Sequence, residues 1–458
     1  MGEYLEIKSV PEAPERVPRE MCGEGNTLPL TSGCNVHCVF CSHRNNPPGV
    51  QIYRISPRPL EDIEVNLGAL DPAKPIIIGE SATRIIEGEP FTHPALVEIL
   101  QMIRGRFPRT PVQITTNGSL LDQEKVKILQ NLGNVVVYLS LNSASVRGRS
   151  VLMADSRGLQ AIQSAALLRK HGIPFHGSVV ALPHLVGWRD LAGTIKYLSA
   201  CGAGTIRVFL PGFSSLAVPG IKFKPSHWKE IKVFITGLRE KISTPLTCEP
   251  PLLEGLEPEI AGVIAASPAD LAGIRAGDII EAVNGCGVHT RVQAFRKITG
   301  TGPARLELRR KGHPFSVVVQ KKPGQKSGLV LDYDLDPALI DDLARALRRN
   351  RAGGALALTS ELAGPLLRLA LGCFWKGKRE LELVAVKSLF FAGNICVAGL
   401  LTVTDFTAAM VAFLEKKPRP EPPLVLLPGI AFDRRGRDLT GRSYLELEER
   451  FGFPCEVL

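Results

Sequence analysis

The sequence predicts an α/β chain whose first 215 or so residues form a parallel sheet interleaved with helices, followed by a small β domain and a further α/β segment. Three observations predict it. Short apolar runs recur at 27–30, 75–78, 112–115, 135–140, 175–181 and 205–210, and helical patterns separate them at 94–104, 123–132, 158–170 and 188–199. Glycine turns at Gly105, Gly133 and Gly172 end three of those helices. Near-continuous apolar strands alternating with helices imply a parallel sheet buried on both faces, so chemistry is expected beyond the carboxyl ends of the strands.

Composition sets the outer bounds. With 458 residues the chain has room for about three domains. Its 44 glycines and 35 prolines are too few for a collagen-like or low-complexity chain. The net charge of +10 permits an anionic partner without requiring one. The most apolar run, 388–403, is interrupted by Asn394 and small residues and falls short of the roughly 20 residues that a spanning helix needs. The acidic start lacks the pattern of a signal peptide. A soluble, cytoplasmic protein without a membrane partner is expected.

Three of the ten cysteines lie within eight residues: Cys34, Cys38 and Cys41, in Thr31-Ser-Gly-Cys-Asn-Val-His-Cys-Val-Phe-Cys. The other seven are scattered singly, which is no disulfide framework. A cubane [4Fe–4S] cluster normally takes four protein thiolates, so three leave one iron open for another ligand. The loop also admits a zinc knuckle with His37 or His43 as fourth ligand, although zinc sites usually pair ligands across two separated knuckles.

The C-x3-C-x2-C spacing resembles the signature of the radical S-adenosylmethionine (SAM) superfamily. The resemblance implies a partial (β/α)6 barrel whose cofactors are a [4Fe–4S] cluster on Cys34, Cys38 and Cys41 and SAM, chelated to the open iron. It implies reductive cleavage of SAM to methionine and a 5′-deoxyadenosyl radical that abstracts hydrogen from substrate. A reducing partner, flavodoxin- or ferredoxin-like, and sensitivity to oxygen are expected with it.

Further residues carry the resemblance. Glu87-Gly-Glu-Pro, comprising Glu87, Gly88, Glu89 and Pro90, resembles the superfamily's Gly-Gly-Glu-Pro motif that holds the SAM amino group. Glu87 departs from it, and the stretch 79–89 is unusually long. Thr116 and Asn117 end the third strand, while Ser140 and Asn142 end the fourth, at positions that in the superfamily contact the ribose or carboxylate of SAM. Asn117-Gly118 equally reads as a plain turn. Phe40 matches an aromatic position whose backbone contacts adenine. His176, His184 and Arg207 fall on or after late strands, where a substrate would lie. No catalytic residue is assigned.

Beyond the prolines at 245, 250 and 251, the run Gly262-Val-Ile-Ala-Ala-Ser-Pro-Ala to Asn284-Gly285 resembles bacterial PDZ domains, which capture extended peptides on a sheet edge. The loop around Glu259-Ile-Ala is the candidate cradle for a peptide carboxylate, though Glu259 itself would repel one. The segment 388–405 and the later Leu424-Val-Leu-Leu-Pro-Gly resemble the C-terminal domain of an uncharacterised PDZ-containing Fe–S oxidoreductase family. That family is related to the radical SAM enzymes of molybdenum-cofactor and nitrogenase-cofactor assembly. Its members commonly place PDZ first; here it stands in the middle.

The expected domains are a radical SAM core over 1–245, a PDZ-like domain over 250–322 and the C-terminal domain over 328–458. The favoured reading is a radical SAM enzyme acting on a peptide or protein. Two alternatives stand beside it: an RNA-modifying enzyme, drawing on arginines at 345–351 and 434–437, and a non-catalytic Fe–S scaffold that recruits a partner through PDZ. Cys373, Cys396 and Cys455 lack the close pair that a second cluster would use.

Overall fold

The computed structural model describes residues 24–80, 84–224, 226–377, 379–416 and 423–458. Cys22, residues 81–83 of the long loop and Pro225 of the expected helix lie outside the described residues. The chain divides into two units.

The first unit is built on 51–211 and 218–249 with the segment that ends at Asn45. Its strands are β1 (Ile76–Ile78), β2 (Val112–Thr116), β3 (Val135–Ser140), β4 (Phe175–Val180), β5 (Ile206–Phe209) and β6 (Leu246–Glu249). They neighbour one another in chain order and every pairing is parallel. Helices α1 (Leu60–Leu67), α2 (Leu96–Arg106), α3 (Gln123–Leu132), α4 (Val146–Met153), α5 (Gly158–Lys170), α6 (Trp188–Ala200) and α7 (His227–Arg239) alternate with them, giving the partial (β/α)6 barrel.

Burial follows the two-residue period of a strand. In β3, Val135, Val137 and Leu139 are buried, whereas Val136, Tyr138 and Ser140 are half-buried on the other face. That second face carries the polar strand residues, and the first is the apolar floor beneath the helices. Caps at the turns set where the helices begin: Asp122 accepts from Lys125 N at 2.9 Å before α3, and Ser145 accepts from Gly148 N at 2.9 Å before α4.

Two elements differ from the sequence reading. The run 27–30 is not a strand of the sheet; it makes one bridge, Thr27 to Ile77, and a hydrogen bond from Leu28 N to Ile77 O. The sixth strand is instead β6, which the flanking prolines had marked as a boundary. Those prolines sit just outside the ladder, and Pro245 contributes only a carbonyl, accepting from Ile206 N at 2.8 Å.

The second unit takes in 250–458 together with the short segments 46–50 and 212–217. Strands β7 (Gly262–Val263), β8 (Ile279–Val283), β9 (Cys286–Gly287), β10 (Ala304–Arg310), β11 (His313–Val319) and β12 (Leu329–Val330), with helix α8 (Arg291–Thr299), enclose a core of Ile260, Ile274, Ile280, Ala294, Ile298, Leu306 and Leu308. The hairpin at Asn284-Gly285 has both residues at positive φ, as a tight turn of this kind requires. Ser267 caps the short turn after β7 and Thr290 caps α8.

The remainder is a parallel sheet in the order β14-β13-β15-β16, made of β13 (Gly354–Ser360), β14 (Glu380–Val386), β15 (Leu424–Leu427) and β16 (Cys455–Val457). Helices α9 (Ala338–Arg349) and α10 (Gly364–Phe374) pack on one face, and α11 (Val403–Lys416) and α12 (Leu445–Phe451) on the other. The glycine-rich stretch 388–402 is organised by buried Asp405, whose carboxylate accepts from Leu389 N, Phe390 N, Thr402 N and Thr402 Oγ1 at 2.7–3.0 Å.

Candidate metal and cofactor site

A cavity of about 650 Å³ lies at the carboxyl ends of β1 to β4 in the first unit, and Cys34, Cys38 and Cys41 all line it. The three thiols are free of disulfides; Cys34 is exposed and the other two are half-buried. The cysteine loop is tied to the end of α4, where His37 N donates to Met153 O and Val39 N to Leu152 O. Cys38 is thus held between two backbone anchors.

The electrostatics of the loop favour a cationic guest. Burial pushes the Cys38 thiol up to about 12, and the neighbouring Cys41 and Cys34 push the same way. Although Cys34 reaches solvent at the cavity mouth, its partial loss of hydration in the loop likewise raises its thiol, with Glu89 and Cys41 adding to it. Thiols raised in this way, as at Cys34 and Cys38, are stabilised as thiolates when a metal supplies the opposing charge. Among the described residues, no three His, Cys, Asp or Glu side chains converge as ligands of a single ion. A cubane places each thiolate on a separate iron, so its ligands need not converge on one point.

The Glu-Gly-Glu-Pro segment runs beside the loop that precedes Cys34. Gly88 N donates to Thr31 O at 2.7 Å and Glu89 N to Gly33 O at 2.8 Å. A Cβ on Gly88 would stand 1.9 Å from Gly33 O, so only glycine fits this approach. Both carboxylates turn into the protein. Glu87 accepts from Leu30 N through both oxygens, at 3.1 and 3.2 Å. Glu89 accepts from Thr116 Oγ1 at 2.6 Å, Asn117 N at 2.7 Å and Phe91 N at 3.3 Å. Burial pushes Glu87 up to about 8 and Glu89 to about 7, against the opposing pull of those N–H donors.

Asn117 forms the next link. Its Nδ2 donates to Asn35 Oδ1 at 2.9 Å, joining β2 to the cysteine loop, and its Oδ1 accepts from Ser119 N. Asn117 makes the turn its sequence suggests, and it also lines the cavity. Asn142, at φ 58°, bridges β3 and β4 by accepting from Val180 N at 2.8 Å, while its Nδ2 reaches Ser140 O and Met153 Sδ.

Of the residues expected to bind cofactor, Phe40, Glu87, Gly88, Glu89, Thr116, Asn117, Ser140 and Asn142 line the cavity. Pro90 does not; it is buried at the start of the short turn that Glu89 caps. Nor do His176, His184 or Arg207. His176 stacks near Tyr138 at 4.9 Å, His184 lies against Phe223 and His227, and Arg207 forms a two-point ion pair with Glu249 at 2.8 Å. His37 and His43 both line the cavity.

Residues 28–198 match the model of the radical SAM superfamily, and 259–310 match that of a PDZ domain. Residues 28–198 are a radical SAM domain. Such a domain works with a [4Fe–4S] cluster and SAM.

Curated relatives match in the same region. The tungsten-containing aldehyde ferredoxin oxidoreductase cofactor-modifying protein of Pyrococcus furiosus is 31% identical over 117 residues, covering 25% of this chain and 30% of that protein. A GTP 3′,8-cyclase of Microcystis aeruginosa is 29% identical over 147 residues, covering 30% of this chain and 42% of the cyclase. The chain thus spans less than half the length of these relatives. Among solved structures, Streptococcus suis SuiB bound to precursor peptide SuiA overlaps 48% of each chain at a TM-score of 0.38 and 15% identity. Native anSMEcpe with bound AdoMet overlaps 47% of this chain at a TM-score of 0.36 and 18% identity.

The radical SAM domain holds one group that sequence reading did not single out. Arg149, fully buried, pairs with Asp155 at 2.7 Å directly beneath the Asn117 turn. The sequence gives little signal for it: Arg149 follows Arg147 at the start of the same helix, and nothing local tells the buried arginine from its neighbour.

In the second unit, the expected carboxylate cradle around Glu259 is not open to a peptide. Glu259 N donates to Glu257 O, Ile260 N to Asp278 O and Ala261 N to Val330 O, so the N–H groups are already used. The strand beside β7 is the chain's own β12, with Leu329 opposite Val263 and Val330 opposite Gly262. Cys373, Cys396 and Cys455 lie on α10, on a loop and on β16 respectively. Among the described residues, no helix is long and apolar enough to cross a membrane.

Proposed function

We propose that the chain is a radical SAM enzyme that holds a [4Fe–4S] cluster on Cys34, Cys38 and Cys41 and modifies a peptide or protein. The observation that carries this reading is the convergence of the three thiols and the Gly88 backbone on one cavity at the strand ends. When bound and reduced, the cluster supplies an electron that cleaves SAM to methionine and a 5′-deoxyadenosyl radical.

The chain's own residues bind and orient. Cys34, Cys38 and Cys41 would be thiolate ligands, and the α4 anchors keep their loop from collapsing into the cavity. Both Glu87 and Glu89 spend their carboxylates on N–H and O–H donors, and the Glu89 carbonyl is taken by Thr92, so an ammonium at this end of the cavity would meet the backbone carbonyls of Glu87 and Gly88 rather than a free carboxylate. Ser140 and Ser178 line the opposite wall with hydroxyls suited to polar groups of a bound nucleoside. Buried Val36, Ile86 and Met153 limit the water that reaches the reacting atoms.

A peptide substrate is supported by the PDZ domain match in the same chain. The RNA reading draws on arginines of which Arg345 and Arg349 already pair with Asp342 and Glu456. The reducing partner would be flavodoxin- or ferredoxin-like.

The test is anaerobic: reconstitute the full chain with iron and sulfide, reduce it, add SAM and quantify 5′-deoxyadenosine. Product that disappears in Cys38→Ala supports the enzyme. A loaded, reducible cluster that yields no 5′-deoxyadenosine, even with cell extract added as a source of substrate, would leave a binding or scaffold role instead.

A further inference from the structure

A fully buried arginine needs a reason, because burying a charge costs several kcal/mol unless it is paired and hydrogen-bonded. Arg149 has no exposed surface, and its partner Asp155 is 4% exposed. Nε donates to Asp155 Oδ2 at 2.7 Å, Nη1 to Leu141 O, and Nη2 to Asn117 O at 3.0 Å and Ser119 Oγ at 3.1 Å. Ser119 Oγ in turn donates to Asp155 Oδ2 at 2.8 Å. Every bond ends on a strand-end turn that borders the cavity, or on the group that neutralises the charge.

The placement is specific. Arg149 sits one turn before Leu152 and Met153, the residues whose carbonyls anchor the backbone on both sides of Cys38. Through Asn117 it reaches the other walls as well, since Asn117 bonds Glu89 by its N–H and Asn35 by its side chain. Asp155 stays ionised beside the arginine: burial alone would raise its carboxyl, but Ser119 and Arg149 hold it below the ordinary value.

We propose that the Arg149–Asp155 pair is an electrostatic floor for the metal centre, with Arg149 the positioning residue that braces the Asn117 turn and sets the reduction potential of the cluster ligated by Cys38. The proposal rests on the radical SAM reading above. A buried cation near the cluster stabilises the reduced, more negative state, and the paired carboxylate offsets that effect. Arginine cannot lose its proton in either state, so the charge is permanent.

This predicts opposite signs for the two partners. Arg149→Gln should lower the cluster's reduction potential, whereas Asp155→Asn, which leaves the arginine uncompensated, should raise it. Arg149→Lys keeps the charge but loses the planar fork. It should hold the potential near the wild-type value while weakening SAM binding about tenfold, as the Asn117 turn loosens. The readouts are an anaerobic redox titration followed by electron paramagnetic resonance and, separately, SAM binding to the loaded, unreduced full-length protein by calorimetry.

Shifts of opposite sign in the Gln and Asn variants support the floor. If Arg149→Gln fails to assemble a cluster, the comparison of Arg149→Lys with Asp155→Asn decides in its place: an unmoved potential in the first and a raised one in the second support it. Loaded clusters whose potentials stay put, or move the same way in every variant, would overturn the inference alone. Failure of the wild-type chain to assemble any cluster would overturn the site reading and this inference together.

Discussion

The backbone N–H of Asn117 donates to the carboxylate of Glu89 at 2.7 Å, and with that bond the end of β2 is locked to the segment that runs beside the cysteine loop. The bond explains why a motif glutamate that sequence reading assigns to a ligand is instead fully buried. Its carboxylate shapes the wall, and the polypeptide backbone beside it faces the cavity.

Replacing Gly88 tests that wall. Gly88→Ala places a methyl 1.9 Å from Gly33 O, against backbone that has no rotamer to yield. A loss of at least about 2 kcal/mol in unfolding free energy is expected, together with reduced iron loading, because the displaced loop carries Cys34. Urea denaturation and iron per chain would check it, and wild-type values for both would refute the contact.

The two glutamates predict a pH dependence. Glu87 is pushed up to about 8 and Glu89 to about 7, from an ordinary value of 4.5. A raised acid keeps its proton in the folded chain after the unfolded chain has lost it, so the unfolded state binds fewer protons across that window. Stability therefore falls as pH rises from about 4.5 towards 8, by up to ~1.4 kcal/mol per pH unit for each group. In Glu87→Gln the fall should be shallower, because glutamine keeps an acceptor for Leu30 N without the charge. Urea midpoints at pH 5, 6, 7 and 8 would show it; parallel profiles for the two proteins would count against the buried-carboxyl account.

In the C-terminal part, Asp405→Ala strands four donors around a carboxylate that is 1% exposed. A cost of about 3–5 kcal/mol is expected. Asp405→Asn should cost roughly half of that, since one oxygen can still accept from Leu389 N and Phe390 N. Equal losses for the two variants would mean that the segment depends on packing rather than on these bonds.

Much of this was legible in the residues. The cysteine spacing, the glycine between two glutamates and the strand-end polar residues all declare themselves locally, and each lies where its strand end puts it. What stayed hidden depends on partners far along the chain. Nothing around Glu89 says that Asn117 will take its carboxylate, and nothing around Arg149 announces a charge buried beneath the Asn117 turn. β6 was missed because prolines that break a ladder from within are harmless just outside it. The Glu259 loop was misread because its N–H groups are spent on Asp278 and on Val330, the latter some 70 residues downstream.

That last pairing has a consequence in time. Val263 and its neighbour Leu329 are 66 residues apart. At synthesis rates of about 5–20 residues per second, β7 waits roughly 3–13 s for its partner. Until then its edge offers unpaired backbone groups to any other strand. Closure of this small domain is therefore delayed on the ribosome, a step at which a slowed or truncated chain is open to pairing with the wrong neighbour.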